Sequence, residues 1–216
     1  MLSRIFLSAV CLCLNLSSAF SQKVDEPYIF FLHNRFLENH PLSEAHPQYG
    51  KVEYREILAD FEKGGFTTIS AIRKGNINAQ VYAQKVLQQI DSLIHLGVKA
   101  PKITVIGTSK GGYIAQYVSH LAQNPELNFV FIASFRQSDL QNIPDLSLCG
   151  RILNIYEASD PFGESMQPRI NTATCEISHF RDLELNTGLK HGFLFKALAA
   201  WLEPCKEWAK GNYKFK

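Results

Sequence analysis

The sequence lacks any real surplus of charge: 22 Lys and Arg stand against 20 Asp and Glu, a formal net charge of +2. The basic residues are scattered rather than gathered in one segment, so there is no electrostatic footprint for nucleic acid. Long apolar runs are lacking too. The stretch from Ile5 to Leu16 is broken by Ser8 and Asn15, and it falls short of the roughly 20 residues that a bilayer span needs. No G-x-G-x-x-G follows the first strand-like segment, which removes the usual fingerprint of dinucleotide binding. Internal repeats, low-complexity tracts and linker-like segments are absent as well, so nothing divides the chain beyond its N-terminal segment.

What is present fits one globular unit. The 216 residues are 46% hydrophobic and 19% charged, enough to bury a sizeable core and unlike a disordered chain. The first residues carry one positive charge, at Arg4, then the short apolar run, then the small residues Ser17, Ser18, Ala19 and Ser21. That order predicts a secretory signal over 1–21, a mature start at Gln22, one domain over 22–216, and a periplasmic or secreted destination. Cys11 and Cys13 would leave with the signal, and Cys149, Cys175 and Cys205 would remain. An odd number in an oxidising compartment allows one bridge and one free thiol. A Cys149–Cys175 bridge is the preferred pairing, because each precedes a predicted strand; three free, buried thiols is the alternative.

Strand-like and helix-like segments alternate from there on. Tyr28 to Leu32 is a continuous apolar run, as in a strand covered on both faces. Further strands are expected over 66–72, 102–106, 128–133, 151–156 and within 175–185, with helices over 53–63, 78–96, 111–122 and from Phe193 to about Trp208. Six strands joined by crossovers long enough for helices imply an α/β fold: a doubly wound, mostly parallel sheet with helices on both faces.

One turn carries chemistry. Gly107-Thr108-Ser109-Lys110-Gly111 matches G-x-S-x-G, and it lies where an apolar strand ends and a helix begins. A serine on such a turn is held in a sparsely populated backbone conformation with its hydroxyl clear of the sheet. Glycines flank it because a Cβ at either position would strike the neighbouring strand or helix. In this the mature chain resembles the α/β-hydrolase superfamily, in a small form without a large cap. The resemblance implies a triad in the order serine, acid, histidine, each on a loop after a strand. Asp160 lies just past the strand over 151–156, and His191 lies in the loop before the last helix, so order and placement agree.

The implied roles are Ser109 as nucleophile, His191 as general base and Asp160 as its orienting acid. Glu157 is the competing acid, lying closer to its strand. The backbone N–H of Lys110 is the first expected oxyanion donor, and Asn34 or Arg35 the second, because His33-Asn34-Arg35 stands where the superfamily has His-Gly. The long loop from Phe36 to Gly50 is expected to flank the site, with Arg35 pairing either Glu38 or a substrate carboxylate. His40, Glu44 and His46 lack the regular element that would fix metal geometry, so no metal and no cofactor is expected. The segment 134–150 has room for a helix or loop but no lid, which predicts an open site. The activity implied is hydrolysis of a small-molecule carboxylic ester or related acyl bond. An acyltransferase using the same triad, or a non-catalytic binding module on the same fold, are the alternatives. Oligomeric state leaves no trace in the sequence.

Overall fold

A computed structural model describes residues 25–215; the expected signal segment lies outside them. Strand β1 spans Tyr28–Leu32 and is buried throughout, as its unbroken apolar run requires. After it come a short helix, Phe36–Asn39, and a two-residue antiparallel hairpin pairing Ala45–His46 with Gly50–Lys51. The chain continues through α1 (Tyr54–Lys63), β2 (Thr67–Ile69), α2 (Ala79–His95), β3 (Ile103–Thr108), α3 (Lys110–Ala122) and β4 (Asn128–Ile132). It ends with β5 (Arg151–Glu157), β6 (His179–Leu185) and α4 (Ala199–Ala209). The six strands form one sheet in the order β2-β1-β3-β4-β5-β6, with every neighbouring pair parallel.

The core is split by the sheet into two apolar layers. Ile29 and Phe31 point to one face with Ile57 and Phe61 of α1 and Trp201, Leu202 and Trp208 of α4. Tyr28, Phe30 and Leu32 point to the other, against Val86 and Ile90 of α2 and Ile114 and Val118 of α3. The period-two alternation of one five-residue strand thus feeds both layers, which is why no polar residue is tolerated along it. A disulfide joins Cys149, just before β5, to Cys175, just before β6, while Cys205 is a free thiol inside the apolar layer under α4.

Two expectations need correction. The second strand is shorter than 66–72, because after Ile69 the chain leaves the sheet edge and is held by side chains. Ser70 donates to the Phe31 carbonyl at 2.6 Å and receives the Tyr54 hydroxyl at 2.7 Å. The last helix starts at Ala199 rather than Phe193. Residues Lys190–Phe195 form a 3-10 turn, and Glu53 pins the break after it. The Glu53 N–H donates to the Phe195 carbonyl at 2.8 Å, and its carboxylate takes the Ala197 N–H at 2.9 Å. Pro204 lies inside α4, as placed by the sequence.

Sheet register positions the site. Leu32 is paired with Gly107 and Glu157 with Leu185, so the loops after β1, β3, β5 and β6 leave the same carboxyl edge at similar height. Between β4 and β5 the chain forms only the short helix Asp139–Asn142 and loop.

Candidate active site

Ser109 occupies the turn between β3 and α3 with φ 51° and ψ −118°, a region that L-residues rarely adopt. The turn is held from several sides. Ser109 N–H donates to the Ile132 carbonyl at 2.8 Å, and its own carbonyl receives the N–H groups of Gly112 and Tyr113 at 2.8 and 3.1 Å. The flanking glycines are steric necessities: a Cβ on Gly107 would overlap the Gly111 carbonyl, and one on Gly111 would overlap the carbonyl of Leu32 in β1. So the strand-to-helix turn, packed against β1, forces the serine into its strained conformation, and α3 presents its positive N-terminal end beside the hydroxyl.

The structure brings Ser109, His191 and Asp160 into one hydrogen-bonded chain. His191 Nε2 lies 3.0 Å from Ser109 Oγ, and His191 Nδ1 lies 2.6 Å from Asp160 Oδ2. The Asp160 side chain is fully buried, and its Oδ1 accepts the Phe162 N–H at 3.0 Å, so both oxygens are engaged. The rings of Phe162 and Tyr49 stand edge-on to the imidazole at centroid distances of 5.1 and 6.3 Å.

Glu157, the competing acid, does something else. Its carboxylate accepts the Thr187 N–H and hydroxyl, both at 2.8 Å, the Gly188 N–H at 3.1 Å and the Ser159 hydroxyl at 3.0 Å. Ser159 Oγ in turn accepts the Lys190 N–H at 3.2 Å. Burial pushes this carboxyl up, but the bonds from Thr187, Ser159 and Gly188 more than offset it and hold the group below its ordinary value. Glu157 therefore fastens the loop that carries His191 to the end of β5. Sequence reasoning missed this role; a carboxylate at a strand end facing a Thr-Gly turn was the available sign.

A second cluster supports the loop after β1. His33, Glu38 and Arg73 are buried together. The Arg73 backbone N–H donates to His33 Nε2 at 2.8 Å, which leaves the proton on Nδ1, and Nδ1 donates to the Asn34 carbonyl at 2.7 Å. Burial first, then the nearby Arg73 guanidinium, lowers the His33 pKa from 6.5 to about 3, so the ring is neutral. The guanidinium also donates to the His33 carbonyl. Glu38 is shared between Arg73 Nε at 3.1 Å and Lys110 Nζ at 2.5 Å. The expected pairing of Arg35 with Glu38 is thus corrected: the buried Arg73 and Lys110 occupy that carboxylate, and Arg35 is exposed. Lys74 Nζ adds bonds to the Leu37 and His40 carbonyls, both at 3.2 Å. Arg73 and Lys74 were not anticipated, and no local sequence pattern marks them.

Ser109, His191, Asn34 and Arg35 line a pocket of about 290 Å³ whose other walls are largely rings. A larger depression of about 640 Å³ beside Glu53 and Arg55 is remote from this chemistry, with neither Ser109 nor His191 on its walls. His40 Nδ1 pairs with Glu44 at 2.7 Å, whereas His46 Nδ1 accepts the N–H groups of Gln48 and Tyr49. Those three residues do not form a metal-ligand cluster, and the described residues contain no group of three or more such side chains. No helix among the described residues is long and apolar enough to cross a membrane.

Compared with protein-family models and with curated proteins, the sequence matches none. Solved structures do resemble it. An arylesterase aligns over 88% of this chain and 77% of its own, at 16% identity and a TM-score of 0.61. SOBER1 from Arabidopsis thaliana aligns over 88% and 100%, at 16% identity and a TM-score of 0.55. A thioesterase domain from the curacin biosynthetic pathway aligns over 84% and 92%, at 11% identity and a TM-score of 0.51. At such identities the likeness reaches the fold and no further.

Proposed function

We propose, from the premise that this chain has the α/β-hydrolase fold, that it is a serine hydrolase cleaving a carboxylic ester through an acyl-enzyme on Ser109. The observation that carries this is the unbroken Ser109–His191–Asp160 chain at 3.0 and 2.6 Å, on a serine held at positive φ.

In this reading His191 Nε2 takes the hydroxyl proton as Ser109 Oγ bonds to the substrate carbonyl carbon. Asp160 holds the Nδ1–H tautomer and stabilises the imidazolium. The bond to the leaving oxygen then breaks, and His191 hands that oxygen its proton. Water repeats the sequence, releasing the carboxylic acid and restoring the serine. Two N–H donors are assigned to the oxyanion. Lys110 supplies one at the N-terminus of α3. For the other, the Asn34 carbonyl is held by His33 Nδ1 at 2.7 Å. The N–H of a trans peptide points opposite its carbonyl, so this bond turns the Arg35 N–H the other way. That supports Arg35, rather than Asn34, as the second donor. Each such donor contributes about 3 kcal/mol to lowering the barrier.

The same reading has the chain exported. The Cys149–Cys175 bridge supports it, because disulfides persist in oxidising compartments. The direct test is labelling of the folded protein with a fluorophosphonate, together with release of p-nitrophenol from p-nitrophenyl esters. Labelling and release that both vanish in Ser109→Ala support the assignment. Wild-type protein that is folded yet neither labels nor hydrolyses any ester in the series overturns it.

A further inference from the structure

The pocket that holds Ser109 and His191 is walled by five rings: Phe36, His40, His46, Tyr49 and Phe195. They form one connected surface. Phe36 stacks on His40 at 4.2 Å and His46 on Tyr49 at 4.5 Å. Phe195 lies 5.7 Å from Phe36 and 5.4 Å from Tyr49, tilted to both. Tyr49 continues the wall to the imidazole of His191, 6.3 Å away. Four of these rings come from the loop after β1, and the fifth from the 3-10 turn after His191. The wall is therefore assembled from the loop that carries Arg35, the second oxyanion donor, and the turn that carries the base.

We infer that this pocket takes a single planar aromatic ring on the acyl side of the substrate, an inference that rests on the hydrolase reading above. Ring faces are negative and ring edges positive, so a wall of faces and edges attracts another ring more than it attracts a saturated group of equal bulk. A volume of about 290 Å³ is at the small end for ligand cavities, large enough for one ring and too short for a long alkyl chain. The side is assigned by proton transfer: the leaving oxygen must end beside the imidazole Nε2 that protonates it. The ring wall runs from His191 through Tyr49 and Phe195 to Phe36 and His40, so its far end lies away from that imidazole. The acyl group is thereby directed along the wall toward Phe36 and His40, and the alcohol stays on the His191 side.

The test compares p-nitrophenyl phenylacetate with p-nitrophenyl cyclohexylacetate. The two share a leaving group, a ring size and a methylene that insulates the carbonyl, and they differ in planarity and π-character. The expected kcat/KM ratio favours phenylacetate by about fivefold, and by more over p-nitrophenyl dodecanoate. In Phe36→Leu and Tyr49→Leu the ratio falls to about one; being measured within one preparation, it is independent of how much protein folded. A ratio at or below one in the wild type, or a ratio unchanged in both variants, overturns the inference. Binding of phenylacetate and cyclohexylacetate anions to Ser109→Ala, measured by calorimetry, reads the pocket without turnover. A calorimetric preference for phenylacetate with no hydrolysis of any ester keeps the ring pocket and removes the hydrolase reading. Hydrolysis without the preference does the reverse.

Discussion

Glu38 Oε2 lies 2.5 Å from the ammonium of Lys110, the residue that follows Ser109, while its other oxygen is held by the buried Arg73. One carboxylate thereby joins the loop after β1 to the turn after β3, the two segments to which the proposed function assigns the oxyanion donors. The side chain of Arg73 is fully buried and that of Lys110 mostly so, which makes the pair sensitive to loss of its partner.

Glu38→Gln keeps the shape and removes the charge. Breaking a buried ion pair from one side costs about 3 kcal/mol, which lowers the melting temperature by about 10 °C in a domain of this size. If the clamp also aims the donors, kcat falls between about tenfold and a hundredfold while KM changes little. Fluorophosphonate labelling slows by the same factor, because the reagent needs the same two donors. A fall in melting temperature with unchanged labelling rate would confine Glu38 to a structural role.

Glu157 ends β5 and Asp160 follows shortly after it, and their partners separate the two carboxylates. Asp160 touches His191, whereas Glu157 holds Thr187 and Gly188 in the loop that carries it. Asp160→Asn should therefore leave the fold intact and lower kcat by about 10⁴, since the wrong imidazole tautomer is stabilised. Glu157→Gln retains an acceptor for part of the turn and should cost about tenfold in kcat. Steady-state rates of the two variants on one p-nitrophenyl ester decide the matter, and a reversal of their order would exchange the roles.

The parts of this arrangement that were legible in sequence are those with a local signature. An unbroken apolar run marks β1, and G-x-S-x-G at a strand-to-helix boundary marks the Ser109 turn. Asp160 and His191 were picked out through the resemblance, which implies an acid and a histidine on loops after later strands; parallel strands send those loops to one edge of the sheet, where the two lie together with Ser109. Arg73 had no such signature. It is 35 residues from Glu38, in the segment after an edge strand, and its burial arises only once β2 pairs with β1. The start of α4 was misplaced for a similar reason. Phe193 to Phe195 are apolar enough to be helical, and the break after them is imposed by Glu53, far away in the chain.

The disulfide gives a prediction independent of catalysis. Cys149 and Cys175 are separated by 26 positions, and a closed loop of that size removes about 3.5 kcal/mol of chain entropy from the unfolded state. The double variant Cys149→Ala/Cys175→Ala should melt about 10 °C lower than the wild type. Reductant should lower the wild-type value by a similar amount and leave the double variant unmoved. Cys205, buried in the apolar layer with its thiol pKa pushed up by that burial, should resist iodoacetamide in folded protein and react after unfolding. Rapid alkylation of the native chain would contradict its placement.

His33 sets how stability depends on pH. Its folded pKa of about 3, against 6.5 for a free imidazole, means that the unfolded chain binds more protons throughout that interval. Stability therefore rises with pH across it, is complete above about 6.5 and is lost as pH falls toward 3. At pH 4.5 the loss is about 3 kcal/mol, or some 6–12 °C in melting temperature. Glu53 and Glu157, whose carboxyls lie below the ordinary 4.5, begin to add losses of their own as pH approaches that value. The upper part of the window between pH 7 and 4.5 is therefore the part that reads the imidazole. His33→Gln, which cannot take up a proton there, should start less stable at pH 7 and show a flatter slope. Equal slopes for the two proteins would mean that His33 is not held neutral, and the alignment of the Asn34–Arg35 peptide would need another cause.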